Sequence, residues 1–359
     1  MVRPTYAEID LSAIAANTRA FAELIAPSEL CAVVKADAYG HGDVPVATTA
    51  LDAGATWLAV ALVEEAVRLR EAGIDAPILL LSEPLPEDVA EIVEWEITPT
   101  AYSQRFIEAL ASAGSKLAVH LKVDTGMHRV GAAPRALADL VAAMRRAGNL
   151  DLGGVWTHFP VADQDPEFTR RQIEEFDKAV SGLEVPLAHL ANTAGAVLFP
   201  EARRSLCRIG LGLYGLHPCD ETRERISLRP AMRLVTQVTS VRRLEAGARP
   251  SYGRVRPLPG ESTVVTAPVG YADGYSRGLS PGGQVLIGER RHPLAGTVTM
   301  DQIMVDVGDE DVEIGDEVVL MGAQGSEEIT AYEWANLMGT ITYEVVCSVG
   351  PRVPRRYVT

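Results

Sequence analysis

The sequence predicts an α/β chain in two parts, an N-terminal (β/α)8 TIM barrel followed by a mainly antiparallel β domain. Three observations carry this. Short apolar runs alternate with helical patterns, making about eight βα units in roughly 200 residues, the size and count of such a barrel. After Tyr214 that rhythm stops, and from Ala231 the pattern turns strand-like, broken by Gly and Asp turns at 307–309 and 314–316. Charged and polar side chains fall at the ends of the barrel strands, the face on which such a barrel keeps its active site.

The elements follow in order. Segment 3–11 (RPTYAEIDL) reads as a strand leading into a helix that Asp10 or Ser12 can cap, with Ile14, Ala15, Phe21, Ala22 and Ile25 as its apolar face. Strands are expected at 31–35, 57–61, 77–81, 97–100, 117–123, 154–157, 187–190 and 205–209. Helical patterns lie between them at 44–53, 64–72, 86–95, 103–113, 134–147 and 167–181, with a shorter one after Thr193. A doubly wound open sheet is the competing architecture, and the unit count favours the barrel. His217-Pro218-Cys219-Asp220 and the polar 221–225 look like a linker. Beyond it, Leu234, Val235, Val238 and Val241 lead further strands at 263–269, 284–287, 303–307 and 317–321, with one helix near 330–338 capped by Thr330. The expected organisation is a strand at 1–11 able to join the β domain, a barrel at 12–225 and a β-rich domain at 226–359.

Composition excludes several function classes. The chain has 359 residues, 47% hydrophobic and 23% charged, enough for a sizeable core. Its net charge of −15 argues against a nucleic-acid partner, which a basic excess would mark. Glu8, Asp10 and Glu23 interrupt any signal-peptide core, and no apolar run has the length of a membrane span. Cys31, Cys207, Cys219 and Cys347 are scattered without a CxxC pair and read as reduced thiols of a cytoplasmic protein. The histidines have no metal-ligand spacing, so no metal site is expected.

The chemistry centres on 33–42 (VVKADAYGHG). Lys35 ends an apolar run. A lysine desolvated there favours a neutral, nucleophilic amine, as a Schiff-base lysine needs; the plainer reading is a lysine that snorkels out to solvent. Other strand ends carry Lys122 and Asp124, with Arg129 in the following loop, then His158, Asn192 with Thr193, and Arg208. Any one of these can be a satisfied structural polar residue, and that reading weakens as they converge. Segment 210–215 (GLGLYG) matches GxGxxG, but His217-Pro218 follows it in place of a helix. A phosphate cradle after the last barrel strand is the better reading, with Thr193 adding a hydroxyl. A Schiff-base lysine, a phosphate cradle and a histidine able to stack on a ring together describe a pyridoxal phosphate site. Arg208, if it faces the pyridine nitrogen, cannot give up its proton, which leaves a shallower electron sink suited to moving a proton at Cα.

Segments 33–42, 120–131 (HLKVDTGMHRVG), 208–215 (RIGLGLYG), 269–275 (VGYADGY), 300–302 (MDQ) and 342–346 (TYEVV) resemble alanine racemase, in order and with compatible spacing. Segments 3–11 and 343–354 resemble the family's start and end, so the likeness spans nearly the whole chain. It implies a fold-type III pyridoxal 5′-phosphate enzyme acting on an amino acid as a head-to-tail homodimer with shared sites. The lysine matching Lys35 carries the cofactor and serves the D face of Cα. The tyrosine matching Tyr271, from the other subunit, serves the L face. Arg129 and the backbone of Met300 match substrate-carboxylate contacts, with Asp301 and Asn192 in support. Tyr39, Thr193, Gly210, Leu211 and Tyr343 match phosphate contacts, His158 the ring-stacking histidine and Arg208 the pyridine partner. Lys122 matches a lysine often carbamylated in the family. Thr193 stands where serine is common, Thr297 where an entry-channel arginine often sits and Thr299 where cysteine is frequent.

Residue by residue, plainer readings exist: Tyr271 as a turn aromatic covering the β domain, and Tyr343 as core in a β segment. The competing functions are a broad-specificity or serine racemase, a basic amino acid decarboxylase, and a non-catalytic pyridoxal phosphate carrier. GYADGY with Arg129 and Met300 favours alanine, Tyr343 should narrow the pocket to a methyl side chain, and a carrier needs no second base.

Overall fold

The computed structural model describes residues 3–359, which form two compact units: 13–38 with 42–229, and 3–12 with 39–41 and 230–359.

The first unit holds a closed ring of parallel strands. After β1 (Tyr6–Asp10), which belongs to the other unit, come β2 (Glu29–Val33), β3 (Trp57–Val60), β4 (Ile78–Leu80), β5 (Thr100–Ala101), β6 (Leu117–Lys122), β7 (Leu150–Trp156), β8 (Leu187–His189) and β9 (Leu206–Ile209). They pair in parallel as β4-β3-β2-β9 and β5-β6-β7-β8. Two seams close the ring. Thr98 N–H donates to Ile78 O at 2.9 Å, and Ser205 and Arg208 N–H groups donate to Ala188 and Ala191 O at 3.0 Å each. β3 and β4 are apolar on both faces because helices cover them outside and side chains fill them inside.

All eight expected strands are present, with two informative shifts. The fifth begins at Thr100, after an isolated bridge at Thr98, because Pro99 has no N–H for the ladder. The first ends at Val33, and Lys35 lies past it in a turn of its own. The expected linker at 221–225 is instead part of a short helix, Asp220–Arg225, closed by a Glu221–Arg225 ion pair one turn apart.

The second unit adds β10 (Met232–Gln237), β11 (Ser240–Leu244), β12 (Ser262–Ala267), β13 (Gln284–Ile287), β14 (Arg290–Pro293), β15 (Ile303–Gly308), β16 (Glu317–Gln324), β17 (Glu327–Ile329) and β18 (Arg355–Val358). One sheet runs β14-β13-β16-β10-β1-β18 with β17 beside β16; a second runs β11-β12-β15. Every pair is antiparallel except β1–β18. Thr330 caps the helix Ala331–Met338 by accepting from Glu333 N–H. Tyr343 is in a helix, Thr342–Cys347, and not in a β segment. Thr342, Val345, Val346 and Val349 are all buried at helical spacing, a period that the β-branched valines disguised. Among the described residues no helix is long and apolar enough to cross a membrane, and no group of three or more His, Cys, Asp or Glu is placed to hold a metal ion.

Candidate active site

The barrel mouth is built from the ends of β2, β6, β7, β8 and β9. Past β2 the chain enters a single turn, Lys35–Gly40, in which Ala36, Asp37, Ala38 and Tyr39 have φ of 53°, 53°, 51° and 53°. This is the left-handed region, which costs an L-residue about 1–2 kcal/mol. Four such residues in succession are stored strain, held by the surroundings. Ala38 N–H donates to Val34 O and Gly42 N–H to Asp37 O, each at 2.9 Å.

Arg208 on β9 is fully enclosed. Its Nη1 donates to His189 Nδ1 at 2.9 Å and His189 O at 2.8 Å, and its Nη2 donates to Thr157 O at 2.7 Å and Leu190 O at 3.1 Å. Burial lowers its pKa to about 10, so it remains a cation at neutral pH. Arginine only donates, so His189 Nδ1 must accept and its proton must sit on Nε2. That proton points at His120 Nδ1, 2.9 Å away, which in turn places the proton of His120 on Nε2. Burial and the Arg208 charge keep both rings neutral, His120 at about 4 and His189 well below the ordinary histidine value. Trp156 on β7 packs the group: it stacks on His189 at 5.7 Å, donates to Thr100 Oγ1 at 3.1 Å, and has Arg208 4.6 Å and Lys122 Nζ 4.2 Å from its ring centre.

Lys122 at the end of β6 is 2% exposed. Burial, then the charges of Arg208 and Arg129, lower its pKa to about 7. His158, past β7, is pushed well below its usual value by burial and by Arg208, Lys122, Arg129 and Lys35. Four basic side chains therefore act on one neutral ring. Arg129 is exposed in the loop beyond β6, within electrostatic reach of both Lys122 and His158.

Past β8 and β9 lies the glycine-rich turn. Asn192 caps the helix Thr193–Leu198 by accepting from Gly195 N–H at 2.9 Å. Thr193 Oγ1 accepts from Gly210 N–H at 3.2 Å and Gly212 N–H at 3.4 Å. With both lone pairs engaged, the hydroxyl proton is the group left to donate. Leu211–Tyr214 is a 3-10 turn whose leading amides have no acceptor within the turn, as at any helix start. Gly212 faces the Phe21 ring so closely that a Cβ would overlap it. Tyr214 Oη donates to Val33 O at 2.8 Å and ties this turn to the strand that precedes Lys35. Cations, amides and a hydroxyl together suit a multiply anionic ligand that includes phosphate.

In the other unit, Tyr39 and Tyr343 have ring centres 6.1 Å apart, and burial raises the Tyr39 phenol. Arg355 Nε donates to Gly40 O at 2.9 Å, and Gly40 sits in the left-handed region where Val346 O leaves no room for a Cβ. Tyr271 opens the turn Tyr271–Asp273, and its N–H donates to Thr299 O at 3.0 Å, while Ala272 N–H donates to Met300 O at 3.1 Å. Gly270 has no space for a side chain against Thr299 and Met300. Asp273, wholly buried, accepts from Gly270 N–H at 2.9 Å and Arg3 Nη1 at 2.7 Å, and faces Arg352 Nε at 3.5 Å. Arg352 also pairs with Asp301 at 2.7 Å. Tyr271 is 44% and Met300 52% exposed. Thr297 Oγ1 donates to Tyr252 O at 2.9 Å and Thr299 Oγ1 to Gln302 O at 2.8 Å, so both threonines are satisfied locally.

The structure thus brings Lys35, Lys122, Arg129, His158, Asn192, Thr193, Arg208, Gly210 and Leu211 together in the barrel unit. It places Tyr39 beside Tyr343, and Tyr271 beside Met300 and Asp301, in the other. His120, His189 and Trp156 are not among the residues that the sequence points to. Their only sequence signal was the polar His120 and His189 inside otherwise apolar strands.

A parallel-stranded barrel followed by a mainly antiparallel β domain is the class of protein this fold defines. The alanine racemase N-terminal domain matches residues 9–218 and the alanine racemase C-terminal domain residues 231–357. The chain belongs to the alanine racemase family. It is 45% identical over 367 residues to an alanine racemase of Symbiobacterium thermophilum, covering 99% of this chain and 97% of the relative. The crystal structure of alanine racemase from Bacillus anthracis with bound L-Ala-P superposes with a TM-score of 0.95 at 37% identity, covering 100% and 96% of the two chains. A histidine racemase from Leuconostoc mesenteroides subsp. sake superposes at 0.93 with 29% identity, covering 99% and 98%.

Proposed function

We propose that the chain interconverts L-alanine and D-alanine with pyridoxal 5′-phosphate, as a cytoplasmic head-to-tail homodimer with shared active sites. The observation that carries this reading is the gathering of Lys122, Arg208 and His158 at the barrel mouth, next to the glycine-rich turn that Thr193 holds, in a chain alike over its full length to alanine racemases. The donor set fits the cofactor. Lys35 would carry it through its amine. Thr193, Gly210 and Leu211 would hold its phosphate, His158 would lie against the ring and Arg208 would face the ring nitrogen. When bound, the cofactor supplies an electron sink that makes the Cα proton of an amino acid labile. Arg208 has only donors and holds its charge, so it cannot protonate the ring nitrogen, which favours proton movement over deeper chemistry. Arg129 would bind the substrate carboxylate through its fork.

Racemisation needs bases on opposite faces of Cα, one removing a proton and one returning it. Lys35 serves the D face and the partner subunit's Tyr271 the L face. An exposed Tyr271 supports this assignment, and so does the exposed apolar surface of Met300, Tyr252 and Val255 in the same unit, which suits a second copy. Lys122, with a pKa near 7, is largely uncharged in weak base and can add carbon dioxide as a carbamate beside Arg129. A different substrate side chain is the second reading, favoured by the likeness to a histidine racemase. A chiral assay of alanine, serine and histidine, with and without added pyridoxal phosphate, separates them. Cofactor-dependent racemisation fastest for alanine is expected. Faster turnover of histidine or serine rejects the alanine reading, and a borohydride label anywhere but Lys35 rejects the lysine's role.

A further inference from the structure

We propose that Glu65 is a positioning residue for Lys35, holding the left-handed turn that aims the lysine; this rests on the reading of Lys35 given above. Glu65 is buried in the first turn of the helix Val63–Glu71. Its two oxygens have separate tasks. Oε2 accepts from Ala61 N–H at 2.8 Å and Leu62 N–H at 3.2 Å, closing the start of its own helix. Oε1 accepts from Ala36 N–H at 2.7 Å, the peptide immediately after Lys35 and the first residue of the left-handed run. Ala36 and Asp37 are exposed, so side-chain packing does little to hold them. The same helix also reaches the turn through Asp43, three residues beyond it. Arg68 Nε pairs with Asp43 Oδ2 at 2.6 Å, and Asp43 N–H donates to Asp37 Oδ1 at 3.1 Å. One helix therefore holds Ala36 directly and Asp37 through Asp43, in a segment that L-residues disfavour, and Glu65 holds the end that carries the amine.

The carboxylate is required because it accepts on both sides. A glutamine has one acceptor oxygen and an NH2 group. The two amides of Ala61 and Leu62 outvote one, so Glu65→Gln turns its oxygen to the helix cap and sets its NH2 against Ala36 N–H, donor against donor. The helix stays capped while the Lys35 turn loses its anchor. A residue that only capped its helix would tolerate glutamine.

The test uses the full-length protein carrying Glu65→Gln and Glu65→Ala, read by hydrogen–deuterium exchange over 34–42, thermal melting, and kcat and KM with cofactor. Glu65→Gln should melt within a few degrees of the parent, exchange at Ala36 at least 10-fold faster, and lose at least 10-fold in kcat with KM nearly unchanged. Glu65→Ala should show the same exchange and kcat losses with a lower melting temperature. Unchanged exchange and kcat in Glu65→Gln overturns the proposal, even if Glu65→Ala fails to fold. Faster exchange at Ala36 in a protein whose parent racemises nothing leaves the clamp standing and removes the catalytic reading instead.

Discussion

Thr193→Val isolates the hydroxyl at the centre of the glycine-rich turn. Valine keeps the shape of threonine, including the methyl beside Gly212, and deletes one donor and two lone pairs. In the parent, Gly210 and Gly212 N–H groups occupy the lone pairs at 3.2 and 3.4 Å, which leaves the hydroxyl proton to meet an anion. A hydrogen bond to a charged group contributes about 1.5–3 kcal/mol, or roughly 10- to 150-fold in Kd. Without cofactor the two amides lose an acceptor. Their bonds are long, so the cost should sit near about 1 kcal/mol each, a fall of a few degrees in melting temperature. Absorbance titration of pyridoxal phosphate into cofactor-stripped protein measures the first effect and a melt measures the second. Thr193→Ser should recover both. Cofactor binding in Thr193→Val within twofold of the parent refutes the assignment of this hydroxyl to the phosphate.

The remaining expectations concern protons and subunits. Lys122 has a folded pKa of about 7 against an ordinary 10.5, so between these values the unfolded chain binds more protons and stability rises with pH. Lys122→Met should remove about 2.5 kcal/mol of that rise between roughly pH 6 and 9, read by denaturant unfolding at each pH; parallel pH profiles would show that position 122 carries no desolvated, titrating amine. Nitrogen-15 spectra should find His189 neutral with its proton on Nε2, and the same tautomer for His120. A proton on His189 Nδ1 would contradict the Arg208 geometry. Tyr271→Phe should retain cofactor and lose nearly all turnover, and heterodimers of Lys35→Ala with Tyr271→Phe should regain part of it. Verified heterodimers without activity would rule out a shared site.

The sequence alone determined the run of βα units, because strands buried on both faces must be continuous apolar runs and their ends must leave the core, whereas the two hydrogen-bonded seams that close them into a ring are tertiary. It also showed which chemistry gathers there: lysine, arginine and histidine at strand ends are legible because each is costly to bury. Only the tertiary structure showed how those groups are held. Nothing in Ala36-Asp37-Ala38-Tyr39 signals a left-handed turn, since no glycine marks it and the anchor on Glu65 comes from another strand's exit. The Arg208–His189–His120 chain joins residues 19 and 69 positions apart, so its tautomers follow from three-dimensional contact. The plainer reading of Tyr343 as core in a β segment does not hold: valines after it favour a strand locally, while burial on one side of a helix decides the matter. Local pattern sets which residues leave the core. Partners distant in sequence decide what charge, proton and backbone conformation they then keep.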